Sequence, residues 1–179
     1  GAALPLLVSG GGHLPYQYRA LVPLLVRLLS QVGAGGVLEP LLIPFGLGRV
    51  SAAVGAPQDL AAIFLSIEIL SAWGLLVSFR ALAARFVDGE VLPTVSSIAL
   101  LVATLGVQQL SPSSALWYPS DIPAMLVVVL SYLALFSGRI AAFYPLFVIG
   151  CLNRETVLFL LPLVALLPAD VSRARWPWL

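Results

Sequence analysis

Asn153, Arg154, Glu155 and Thr156 stand side by side in the middle of an otherwise apolar stretch, residues 140–167. A guanidinium or carboxylate at bilayer depth costs about 2.5 to 3.5 kcal/mol on insertion scales, so such groups persist where they pair, face other helices or line a wet cavity. Arg154 is suited to a phosphate, because its planar fork matches phosphate oxygens and keeps its charge in a low dielectric. A local ion pair with Glu155, or a cap on a helix break, is the structural alternative. Glu155 fits the first turn of a following helix through the helix dipole, and Asn153 fits a turn.

Asp121 follows Trp117, Tyr118 and Pro119 and precedes Ile122 and Pro123. That setting predicts a carboxylate at the external headgroup layer, able to meet an acceptor sugar or a divalent cation. The same acid would equally cap and charge the start of a helix. No second acidic residue is near it in sequence, and a lone carboxylate makes a poor metal site, so no metal-ligand set is expected. Arg19, on an apolar segment between Tyr18 and Ala20, either reaches headgroup or carrier phosphates or simply snorkels to an interface. Arg154, Asp121, Arg19 and Glu155 are therefore the candidate substrate-binding residues. Glu68, in the middle of an apolar run, is expected to be a neutral, hydrogen-bonded acid. A proton relay there would need further ionisable partners at its level, and the neighbouring spans offer none from the sequence. His13, the single histidine, stands apart from Cys151 in a Gly-rich stretch, and Gly10, Gly11 and Gly12 lack the strand and lysine of a phosphate-binding loop. The catalytic group and any cofactor stay unassigned.

The elements that must position these groups are set by composition. Of 179 residues, 60% are hydrophobic and 9% charged, against about 25% charged in soluble domains. The expectation is an all-α, polytopic integral membrane protein. It would hold four or five inserted segments, at about 20 residues per crossing. A net charge of +1 gives no attraction for nucleic acid. All nine basic residues are arginine, a usage that points to GC-rich bacterial DNA and hence to a bacterial cytoplasmic membrane. Two regions follow: residues 1–59, a Gly- and Pro-rich external or juxtamembrane segment, and residues 60–179, the transmembrane helical region. In the first, the spacing of Tyr18, Leu21, Val22, Leu25, Leu28 and Leu29 predicts a helix over 16–32 lying in the membrane interface. In the second, about three full spans are expected, over 60–79, over 92–110, and from near Trp117, with Ser120 or Asp121 as the cap, to about 136. Arg80, Arg85 and Arg139 mark the cytoplasmic side, and residues 111–120, which carry no basic group, mark the outside.

A single crossing over 140–167 would be about 42 Å long and would leave Arg173 and Arg175 outside, against the charge rule. A broken hairpin of two half-length helices, 140–152 and 155–167, turning at Asn153 and Arg154 within the bilayer, removes both conflicts. Gly1 opens the chain with neither a methionine nor a signal-peptide pattern, so a processed product or a piece of a longer protein is expected.

The order of these features resembles the C-type membrane glycosyltransferases, which take sugars from polyprenyl-phosphate carriers. The resemblance covers 49–167: an outer loop ending at Arg49, a span running inward, an Arg-containing turn over 79–85, a span running outward to Ser111 and Pro112, Asp121 opening the next helix, and the run from Gly150 through Asn153, Arg154, Glu155 and Thr156 to Leu161, Pro162 and Leu163. The stretch 15–23, with Pro15, Tyr16, Tyr18 and Pro23, is similar to a juxtamembrane element of bacterial members. What the resemblance implies is transfer of a sugar from a polyprenyl-phosphate donor to an extracytoplasmic acceptor, with Arg154 toward the donor phosphate and Asp121 toward the acceptor. Family members carry a catalytic acid just after their first span. Here no acidic residue precedes Glu39, so that group has no counterpart in this chain. The alternative is a non-enzymatic polytopic protein, either a portion of a transporter or an assembly subunit. Membrane lipid is the expected partner in either case, with additional helices or subunits completing the assembly.

Overall fold

The structure, a computed structural model, describes Pro5, Val8 and Ser9, residues 21–110, residues 121–153, and Val157, Leu158, Leu160 and Pro162, with only the backbone described at Ala53 and over 105–110. These residues are mostly helical, joined by short turns, with no strand among them. The helices are α1 (Leu21–Gln31), α2 (Ala34–Leu42), a 3-10 turn (Ile43–Phe45), α3 (Leu47–Val54), α4 (Gln58–Ala83), α5 (Val91–Leu110), α6 (Asp121–Phe136) and α7 (Ile140–Asn153).

The central element is α4. Its 26 residues give a rod of about 39 Å at 1.5 Å per residue. Asp59 lies in its first turn and Arg80 in its last, which suits the helix dipole at both ends. Among the described helices it is the one long and apolar enough to cross a membrane; α1 together with α2 and its 3-10 turn would pass as a second, bent by 101° at the break. Only 33% of the most apolar stretch of α4 is buried inside the fold, so most of that stretch lies on the surface. Ile69, Leu70, Trp73 and Val77 on α4, and Val91, Leu92, Val95, Ile98 and Val102 on α5, are exposed. Exposed apolar residues in this number mark a surface that meets a membrane or another protein.

Packing fixes the helix directions. Gly74 lies against Leu126, Leu75 packs with Ile122 and Val129, and the Arg85 guanidinium donates to the Phe136 carbonyl at 2.9 Å. Numbers rise together on both helices, so α4 and α6 run parallel. Helix α5 packs on α4 and runs the other way, with Glu90 bonded to Arg80 at one end and the Thr104 hydroxyl 3.7 Å from Met125 Sδ toward the other. Helix α7 is antiparallel to α6: Phe143 shares a core with Ala134 and Leu135, while Gly150 approaches Val127.

The first half of α4 is wrapped by α1, α2 and α3. Val22, Val26, Leu42, Leu47 and Val54 bury against Ala61, Ala62, Ile63 and Phe64. A Cβ on Gly35 would sit 2.8 Å from the Asp59 Cβ and 2.9 Å from its carbonyl oxygen, so only glycine lets α2 come this close. The predicted interfacial helix therefore serves two environments. Val22 and Val26 face α4, whereas Leu24, Leu25 and Leu28 stay exposed. The sequence pattern assigns no elements to 34–54, because Pro40 and Pro44 break any full span. Two short helices form there nonetheless, since each is anchored by its contact with α4 and needs no membrane-crossing length.

The hydroxyls of these helices are satisfied locally. Ser66, Ser78, Thr104 and Ser131 donate to the carbonyl four residues back, at 2.6–2.9 Å. That habit satisfies a polar group without water.

Candidate functional site

The parallel run of α4 and α6 sets the site. Gly74 pairs with Leu126, a register offset of 52 residues, so α4 extends about ten residues, roughly 15 Å, beyond the start of α6. Glu68, ten residues into α4, is thereby brought level with Asp121, the first residue of α6. Their carboxylates are close enough to repel each other. Both side chains are half-buried, and Glu68 Oε1 is fully covered with no hydrogen-bond donor to it among the described residues. Repulsion across a poorly screened interior is relieved by a shared proton, a cation or a hydrogen-bond donor.

Sequence reasoning misses this pairing. It finds no ionisable partner at the level of Glu68, because it measures every span from a common surface. The physical reason for the correction is the offset: α1, α2 and α3 cover the projecting part of α4, so α4 need not start where α6 starts. Asp121 consequently has a second acid near it, which its own neighbours in sequence do not supply. A sequence signal does exist, in that two spans entering from the same side must run parallel, but the register between them is not encoded locally. Thr104 and Ser71 do not serve Glu68. The Thr104 hydroxyl is donated to Leu100, and Ser71 has no hydrogen bond to Glu68 Oε1.

Asn153 closes the same end. It is the last residue of α7 and fully buried. Gly150 faces Val127, so on the antiparallel pair Asn153 lies within about 5 Å, along the axis, of the level of Asp121. Just beyond it the chain has come back on itself. A Cβ on Gly150 would be 2.7 Å from Val157 Cγ1, and Val157 and Leu160 share a core with Leu135 and Phe143. On one straight helix residues 150 and 157 would stand about 10.5 Å apart along the axis, and 143 and 157 about 21 Å. Arg154 and Glu155, candidate phosphate and dipole residues, lie outside the described residues, as do Arg19 and His13.

Among the described residues no group of three or more His, Cys, Asp or Glu side chains could hold a metal ion. Cys151 is a free thiol, half-buried, one turn from Phe147 at the edge of the core around Leu135 and Phe143. Compared with known protein families, curated proteins and solved structures, the chain matches none.

Proposed function

We propose that this chain is the helical membrane part of a transferase that moves a sugar from a polyprenyl-phosphate donor to an extracytoplasmic acceptor, in a bacterial cytoplasmic membrane. The observation that carries this reading is the meeting of Glu68 and Asp121 at the end of the bundle where α7 stops at Asn153. One carboxylate would accept the proton of the acceptor hydroxyl as it attacks the anomeric carbon. The second would hold that carboxylate and the hydroxyl in line. Arg154, next after Asn153 in sequence, would stabilise the departing polyprenyl phosphate. The polytopic arrangement is part of the same proposal. In it α4, α5 and α6 each cross, α7 and the segment after it form two half-helices, and the end bearing Arg80, Arg85 and Arg139 faces the cytoplasm. The apolar exposure of α4 and α5 and the return of Val157 onto Gly150 support it.

The test is transfer from a radiolabelled polyprenyl-phosphate sugar by the full-length protein that contains this segment. Asp121→Asn and Arg154→Ala are each expected to lower turnover by about 10² or more, the scale of losing a positioned base or a charge-stabilising donor. Unchanged transfer in the double variant would defeat the site. A second reading, a portion of a cation-coupled transporter, is favoured by one observation: the uncompensated Glu68 oxygen deep in a long helix beside another acid. Acids held within a span mark ion pathways by default. Substrate uptake into proteoliposomes that depends on a proton or sodium gradient, and is lost in Glu68→Gln, would select it.

A further inference from the structure

At the opposite end of the bundle from Glu68 and Asp121, α4 and α5 splay apart around an open groove of about 640 Å³. Leu76, Val77, Pro93 and Ile98 line it together with Arg80 and Thr94. Its polar groups are unevenly committed. The Thr94 hydroxyl donates to the Glu90 carbonyl and the Ser97 hydroxyl to the Thr94 carbonyl, so neither offers a proton to the groove. Arg85 is committed to the Phe136 carbonyl. Arg80 differs. Its guanidinium carries five N–H donors, yet its one hydrogen bond among the described residues is to Glu90 Oε2, at 3.2 Å. That pair is exposed, 49% on the arginine side and 88% on the glutamate side. Pairs this exposed are easily opened, since solvent and salt already screen them. Below the arginine the walls run without a break into the exposed band of Trp73, Val77, Val95, Ile98 and Val102. From Glu90 to Ile98 the groove descends about 12 Å along α5.

An under-used guanidinium above an apolar channel, opening sideways onto an apolar surface, has the polarity of one class of molecule. We propose that the groove between α4 and α5 binds an anionic phospholipid, its phosphate on Arg80 and an acyl chain laid along Leu76, Val77, Pro93 and Ile98. This rests on the membrane placement given above, though on neither the transferase nor the transporter chemistry. Glu90 then acts as the competitor that the phosphate displaces, swinging into solution when a bidentate phosphate takes the arginine. A soluble anion would gain the charge contact without the channel, and a purely apolar occupant would leave Arg80 unused.

The experiment is native mass spectrometry of the full chain in detergent micelles titrated with phosphatidylglycerol, after flotation of proteoliposomes has established membrane insertion. Arg80→Ala is expected to weaken the first lipid adduct by about fivefold to tenfold, the loss of one charge-assisted contact. Ala81→Trp, which fills the groove from an exposed position, should abolish that adduct. Glu90→Gln should strengthen it, an effect that a merely structural role for the pair would not give. Arg139→Ala removes an equal charge away from the groove and should leave binding unchanged. The proposal is overturned if Arg139→Ala and Arg80→Ala weaken binding alike, if Ala81→Trp binds as the parent does, or if inorganic phosphate displaces the lipid. It is equally overturned if Ala81→Trp dissolves a dimer present in the parent, because the groove would then be covered by a second copy. Failure to float would remove the membrane placement itself, whereas flotation without selective binding would remove this site alone.

Discussion

Substituting Gly150 by alanine while trimming Val157 measures directly whether the chain turns back after Asn153. The added Cβ would lie 2.7 Å and 3.1 Å from the two Val157 methyls and 3.2 Å from Val127 Cγ1. Overpacking of this kind costs about 1–3 kcal/mol, against a gain of about 1 kcal/mol for alanine over glycine inside a helix. Gly150→Ala alone is thus expected to destabilise by roughly 0–2 kcal/mol once the overpacking strain and the propensity gain are combined. Val157 is 1% exposed, and Val157→Ala alone should cost about 1–2 kcal/mol through lost packing. Together the two changes relieve each other. The coupling, the double-variant effect minus the two single effects, is expected at about −1 to −2 kcal/mol. The assay is equilibrium unfolding of the detergent-solubilised full chain by denaturing surfactant, followed by circular dichroism. Residues about 10.5 Å apart on a continuous helix would show no coupling beyond about 0.5 kcal/mol. Additivity within that limit would refute the reversal.

Three further outcomes are expected. Gly35→Ala should lose about 1–3 kcal/mol of stability, because the clash is with the immobile backbone of Asp59 as well as its Cβ, while Gly36→Ala, with nothing within 4 Å, should be neutral or gain up to about 1 kcal/mol; surfactant unfolding of both variants checks the contrast. Arg85→Ala removes a partly buried, charge-assisted bond to the Phe136 carbonyl and should cost about 1.5–3 kcal/mol, whereas Arg80→Ala breaks an exposed pair and should cost about 1 kcal/mol or less by the same measurement. In a variant keeping Trp73 as its one tryptophan, fluorescence should be quenched strongly by brominated acyl chains and weakly by iodide, since Trp73 is 66% exposed on the apolar flank of α4; strong iodide quenching would place that flank in water.

Much of the helical framework was legible from residue order. The expected spans 60–79 and 92–110 appear as helices within Gln58–Ala83 and Val91–Leu110, and the one expected to run to about Phe136, with Ser120 or Asp121 as its cap, appears as Asp121–Phe136. These limits are local chemistry: an acid or proline stands in or beside the first turn of each helix, and arginine or glycine follows the first and the third. Pro145 inside α7 and Pro40 inside α2 did not stop their helices, because packing on one side compensates a single missing donor. The small helices between 34 and 54 were not legible, since their stability comes from the face of α4 they cover and not from their own length or pattern.

What the sequence determined by itself is the helical, strongly apolar character of the chain, where its long helices begin and end, and the isolation of a few charged groups among aliphatic neighbours, because these depend on solvation and local backbone chemistry. The tertiary structure decided which of those groups meet. Glu68 and Asp121 are 53 positions apart, and nothing near either one encodes the ten-residue stagger that brings them level. That stagger is fixed by Leu126 seating on the small Gly74 and by α1, α2 and α3 burying the overhang of α4. Register between packed helices is a property of two matched surfaces, so it exists only once both are folded.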